Sequence, residues 1–260
     1  MSDPIPGARR PRSLWPWIGA ASALLVAVLI FGAVREHQMA VRLLETDPDK
    51  IPQHVDLVRY ADSLAKPAYA AHCASCHGAD MKGEQSKGAP NLSDSIWLYD
   101  FGGVGDIERT ILYGIRSGNP KARNITDMPP LGRNMQLSAA EIRDVTLFVI
   151  NITRPQADQA AIARGSKIFQ TKGVCYDCHS SDAAGNPDYG SPAFTDTDWL
   201  YGGDYDAVYK SIYSGRHGIC PGWIDKLKPK VVRALAVYLH QVSQASEAGT
   251  RRTSGAQAHG

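Results

Sequence analysis

Four of the five cysteines fall in two copies of one pattern, Cys73-Ala-Ser-Cys76-His77 and Cys175-Tyr-Asp-Cys178-His179. Two thiols three positions apart lie on one turn of helix, and an imidazole follows at the next residue. The sulfurs can then form thioethers with one porphyrin while the histidine sits under its iron. A thioredoxin-type pair is expected beside a βαβ pattern, and a zinc site needs further Cys or His ligands at suitable spacing. Neither accompanies these motifs. The residues therefore predict two covalently bound haem c groups, with Cys73, Cys76, Cys175 and Cys178 as attachment points and His77 and His179 as proximal ligands.

Each iron needs a sixth ligand unless it binds a substrate. In the first copy Met128, held in Asp127-Met128-Pro129-Pro130, and Met135 are the candidates. Met128 is preferred, since a thioether in a proline-held loop gives a His/Met site of raised potential, and Met135 is expected to pack in the core or under the loop. The second copy has no methionine, and Cys220 in Gly218-Ile219-Cys220-Pro221 occupies the position aligned with Met128. A thiolate there would lower the potential of its iron. His217 is the rival ligand, and a thiol that merely packs, leaving no sixth ligand, is the third alternative. All three stand at this point.

The motifs recur 102 positions apart, and the register continues beyond them: Pro90 maps to Pro192, and Trp97-Leu98-Tyr99 to Trp199-Leu200-Tyr201. Carbonyls near Pro90 and Pro192 are expected to accept from the proximal imidazole N–H and fix the ring. Arg116 and Arg216 are candidates for haem propionates. Trp97, Trp199, Tyr99 and Tyr201 could donate to propionates or wall the pocket, although a plain core role fits them equally. His72 is expected at the surface.

The elements that must position these residues read as helices. One precedes each motif (62–73 and 159–170), a short one follows a Gly/Pro/Asn-rich loop (106–113 and 205–213), and a third closes each copy (138–150 and 230–244). Ser138 with Glu141 forms a capping box. The predicted partition is 1–38 cytoplasmic segment and anchor, 39–60 linker, 61–153 first cytochrome c domain, 154–245 second, and 246–260 a disordered tail. The fold class is all-α, one transmembrane helix followed by two tandem cytochrome c domains.

An uncharged stretch at 14–34 follows Arg9, Arg10 and Arg12 and carries Trp15 and Trp17 at its start. It is longer than the apolar core of a cleaved signal peptide, so a retained single-pass anchor is expected, with the basic flank cytoplasmic and both haem domains periplasmic. The chain has 260 residues and a net charge of +2, which argues against a nucleic-acid partner. Its five cysteines are too few for a disulfide scaffold.

At PNLSDSIWLYDFGG, at ILYGIRSG followed by DMPPLG, and at WLYGGDYDAVYKSIYSGRHG followed by ALAVYLH, the sequence resembles subunit III of cbb3-type cytochrome c oxidases. The resemblance covers about residues 61–244. It implies electron transfer from a soluble cytochrome c or a quinol-oxidising complex, through the mono-haem cytochrome c subunit, to the catalytic subunit, at a bacterial inner membrane. The chain itself would hold no oxygen-reducing site. The implied axial pairs are His77 with Met128 and His179 with position 220, where the family has methionine and this chain has Cys220. The amino-terminal segment also lacks the Asn/Pro/Trp-rich cytoplasmic stretch usual in the family. The alternative is a membrane-tethered dihaem enzyme, acting on a sulfur anion or similar substrate at a His/Cys-ligated haem.

Overall fold

The computed structural model describes residues 15–257 except 125 and 197, with side chains described between 21 and 245. Arg9, Arg10, Arg12, the first residue of the apolar stretch and the side chains of Trp15 and Trp17 lie outside that description. The chain divides into two units, residues 1–42 and 43–260. In the first unit helix α1 (Trp15–Glu45) begins, and its segment Ala21–Glu45 is long and apolar enough to cross a membrane by length and composition.

Among the described residues the second unit is helical, with isolated bridges but no strands. Its helices are α2 (Val55–His72), α3 (Ala74–His77), α4 (Val104–Tyr113), α5 (Ala139–Asn151), α6 (Gln159–Gln170), α7 (Tyr176–His179), α8 (Tyr205–Ser214) and α9 (Pro229–Gln257). Ser138 accepts from the Glu141 N–H while Glu141 accepts from the Ser138 N–H, the capping box that starts α5. In two stretches the chain forms helix where the sequence suggests none. Helix and a 3₁₀ turn (Pro48–Gln53) occupy most of residues 39–60, the expected linker, and Leu43 and Ile51 are fully buried. Within the stretch expected as a tail, α9 continues as far as Gln257.

The closing helices do not pack where the chain order suggests. α9, the closing helix of the second copy, lies on α2 and α4 of the first, while α5, from the first copy, lies on α6 and α8 of the second. Arg233 on α9 pairs with Glu108 on α4 at 2.7 Å, and Arg164 on α6 grips buried Asp144 on α5 through two bonds of 2.6 and 3.0 Å. α5 and α6 approach so closely at Gly165 that a Cβ there would stand 2.0 Å from the Asp144 carbonyl oxygen. The expected partition 61–153 and 154–245 follows the order of the chain, whereas the helix contacts cross between the two copies. Each packed half takes its motif and short helix from one copy and its closing helix from the other.

Candidate haem sites

Each motif histidine is the last residue of a one-turn helix, α3 or α7, whose N-cap is the first cysteine of its pair. The turn aims the imidazole inward, where Nδ1 of His77 donates to the Pro90 carbonyl and Nδ1 of His179 to the Pro192 carbonyl, both at 3.0 Å. A carbonyl can only accept, so Nδ1 carries the proton and Nε2 is left as a free lone pair facing the site. Burial pushes both imidazoles below the usual histidine range, against the opposing effect of these bonds. Neutral rings result, as metal ligation needs.

A cavity of about 480 Å³ opens beside His179. Cys175, Cys178, Met128 and Arg216 line it together with apolar side chains such as Phe169 and Val149. Phe194 stacks on the His179 ring at 4.3 Å and Trp199 stacks on Phe194 at 5.9 Å. The size falls in the range of cofactor pockets, and the lining combines two thiols, a neutral imidazole, a thioether and a cation in an apolar frame. These residues fit a covalently attached haem.

Crossing of the closing segments re-sorts the distal residues. Met128 and Arg216 exchange backbone bonds at 3.2 and 3.0 Å, and Ile115 and Cys220 do the same at 2.9 and 3.0 Å. The glycines preceding the two inner partners, Gly114 and Gly215, have φ of +76° and +70° and lie too close to the facing loops to carry a side chain. Met128 therefore packs among Cys175, Phe194 and Trp199 in the His179 half. Cys220 lies near Cys73 and Cys76, and Trp223, three residues on, donates its backbone N–H to the Ile111 and Leu112 carbonyls while its ring meets that of His72 at 5.0 Å. Burial pushes the Cys220 thiol up to about 11. Position 220 thus lies on the side of the His77 motif and Met128 on the side of the His179 motif, whereas the resemblance implies the opposite pairs. Met128 and Cys220 hold equivalent places in the repeat, each on the side of the other copy's motif.

The other candidates separate. His217 is turned to Asp127, Nδ1 to Oδ2 at 2.7 Å, with its side chain 57% exposed, which aims it away from either motif. Met135 stands 89% exposed, not in the core, with φ of +54° on a loop turned to solvent. Exposed His72 agrees with expectation. Arg116 reaches the wall of the His179 cavity but spends its guanidinium on the Gly218 and Thr126 carbonyls at 2.5 and 3.1 Å, with Asp127 at 3.5 Å. Arg216 bonds Ser211 Oγ at 2.8 Å and lies over the Tyr201 ring at 4.1 Å. Its structural mate is not Arg116 but Arg123, which bonds Thr110 Oγ1 at 3.0 Å and lies over the Tyr99 ring at 5.1 Å. The indole N–H of Trp97 is buried without a partner among the described residues, a donor suited to an anionic edge such as a propionate.

Sequence reading missed Phe194 and Arg123. Phe194 could have been found from its position 102 residues after Leu92, whereas Arg123 falls outside the repeat register and left no such signal.

The family profile for cytochrome c matches residues 64–153, and that for cytochrome c oxidase, cbb3-type, subunit III matches residues 160–239. Similar proteins include the cbb3-type cytochrome c oxidase subunit FixP of Bradyrhizobium sp. (strain ORS 278), 40% identical over 200 residues, 75% of this chain and 65% of that protein. The subunit CcoP of Cereibacter sphaeroides is 33% identical over 199 residues, 76% of this chain and 67% of its own, and that of Rhodobacter capsulatus is 34% identical over 209 residues, 77% and 69%. The chain spans about two thirds of the length of these relatives. Cytochrome c domains imply covalently bound haem c, which is what the paired thiols and oriented imidazoles provide. An all-helical unit, two attachment motifs and relatives that agree across both copies lead to one conclusion: the chain belongs to the cbb3-type cytochrome c oxidase subunit III family.

Proposed function

We propose that this chain is the membrane-anchored dihaem subunit of a cbb3-type terminal oxidase, relaying electrons and holding no oxygen-reducing site of its own. The observation that carries the reading is the duplicated motif with a carbonyl-oriented imidazole in each copy, His77 on Pro90 and His179 on Pro192, at the same distance of 3.0 Å. Bound haem supplies one-electron iron(II)/iron(III) chemistry. The protein's part is to hold and tune: Cys73, Cys76, Cys175 and Cys178 attach the two groups, and the proline carbonyls fix the proximal rings. Met128 offers a thioether to the His179 site and Cys220 a sulfur to the His77 site. Trp97, Trp199, Arg116 and Arg216 wall or balance the haem edges.

The apolar helix α1 anchors the chain in a bacterial inner membrane, and the positive flank at Arg9, Arg10 and Arg12 directs the haem-bearing unit to the periplasm. A soluble cytochrome c or a quinol-oxidising complex is the donor, and the mono-haem cytochrome c subunit and the catalytic subunit are the acceptors. The relatives' names support this assignment, since each is a subunit of a cbb3-type oxidase. In the test, the tagged chain is extracted from membranes, its haem counted by pyridine haemochrome, and its companions identified. Two haems per chain and co-purification with a haem–copper subunit are expected. A chain that carries its haems, purifies without that subunit and oxidises thiosulfate by itself would overturn the reading.

A further inference from the structure

We infer that Asp100, by neutralising Arg123, holds the first haem site at a lower potential than the second, whose arginine has no such counter-charge. This rests on the electron-transfer reading above but concerns a residue that reading does not use.

Two arginines occupy equivalent places. Arg216 on the wall of the His179 cavity bonds a hydroxyl of α8 and lies over Tyr201; Arg123 bonds a hydroxyl of α4 and lies over Tyr99. Their surroundings differ at one residue. Asp100 pairs with the Arg123 guanidinium, whose side chain is only 8% exposed. Asp100 directly follows Trp97-Leu98-Tyr99, and the residue after Trp199-Leu200-Tyr201 is Gly202. Both hold left-handed backbone, φ +53° and +93°, a conformation that glycine adopts freely and that Asp tolerates better than most side chains. Among the described residues no carboxylate lies within ion-pair distance of Arg216. Of the acids on the wall of that cavity, Asp127 pairs with Arg116 and His217, and Asp198 has Asp94 and Asp196 beside it and makes no ion pair with Arg216.

The step being tuned is the addition of one electron to iron(III) from a reduced one-electron donor, with no bond made or broken. The iron(III) form carries one more positive charge than iron(II). An anion at Asp100 stabilises that form, and it also cancels a cation that would favour iron(II). A bare arginine beside the second site does the opposite. The carboxylate therefore acts in the same direction as a sulfur ligand from Cys220, and through a separate group.

The test is a potentiometric titration of the purified full chain carrying both haems, followed by absorbance. The component that Met128→Ala moves marks the second site. In Asp100→Asn, which keeps the shape and the left-handed backbone, the reduced-to-oxidised ratio of the first haem at fixed potential should rise at least tenfold, about 59 mV for a one-electron couple. The second haem should change less than twofold. An unchanged first haem in a protein of normal haem content and melting temperature overturns the inference. Should Asp100→Asn fail to fold, Gly202→Asp is compared with Gly202→Asn. The Asp variant should titrate its second haem tenfold lower, and identical titrations of the two overturn the inference. Failure here leaves haem content and oxidase co-purification untouched, so it is distinguishable from failure of the subunit assignment.

Discussion

Gly165→Ala should destabilise the His179 half selectively, because α5 and α6 leave no room for one more carbon. A Cβ at 165 would stand 2.0 Å from the Asp144 carbonyl oxygen, 2.5 Å from its carbon and 2.9 Å from the Phe148 Cβ. Two of these obstacles are backbone, so no rotamer change relieves them; the helices must separate by roughly an ångström, judged against ordinary van der Waals spacing. Overpacking of this kind costs about 1–3 kcal/mol, and a rigid obstacle points to the upper end. For a folded unit of this size that corresponds to a fall of about 6–12 °C in melting temperature. Separation would also shift the loop leading into α5, and with it Met128. Melting followed by circular dichroism, with redox titration of the surviving fold, tests both effects. A melting temperature within a degree of wild type would refute the packing argument. A titration in which only the first haem moved would refute the crossed assembly.

Cys220→Met should raise the potential of the first haem towards that of the second, and an unchanged spectrum and potential in Cys220→Ser would rule out sulfur ligation there. Met128→Ala should lower the potential of the second haem, whereas Met135→Leu should leave both titrations unchanged because that side chain is 89% exposed. Ser138→Ala should cost about 1 kcal/mol through loss of the cap on α5, measured by denaturant titration. Burial, with Asp94 and Asp196 nearby, raises the Asp198 carboxyl to about 6. The folded state thus binds the extra proton between the unfolded value and about 6, so stability conferred by that proton is present at low pH and lost as pH rises through this window. Asp198→Asn should therefore melt higher than wild type at pH 8 by more than it does at pH 4, as thermal scans at the two pH values will show.

Much of this was legible because its cause is local. The attachment motifs, the prolines in register, the capping box at Ser138 and Glu141, and the equivalence of Met128 with Cys220 all follow from spacing along the chain. What was hidden depends on choice between similar partners. α5 and α9 are closing helices of a duplicated unit, and hydrophobic periodicity says that each needs a partner without saying which copy supplies it. The decision is made by tertiary detail, such as Asp144 meeting Arg164 and Glu108 meeting Arg233. Arg123 stayed hidden for a related reason: its role is inherited from a place in space, over Tyr99, that the other copy fills from a different point in its sequence. Met135 was misplaced because an apolar side chain in a loop carries no sign of which way its turn faces.

The exchange of closing helices sets the order in which the molecule is completed during synthesis. Domains ordinarily finish from the amino terminus onward as the chain emerges. Here the earliest motif, at Cys73, must wait for the latest helix, α9, beginning at Pro229. The later motif at Cys175 finds α5 already made, and its half needs nothing beyond α8 and the Arg216 loop. The second-made site therefore closes first, and the first-made thiols stay accessible to the attachment machinery longest. Deleting either copy would remove parts from both centres, so the duplication, once folded this way, no longer behaves as two separable modules.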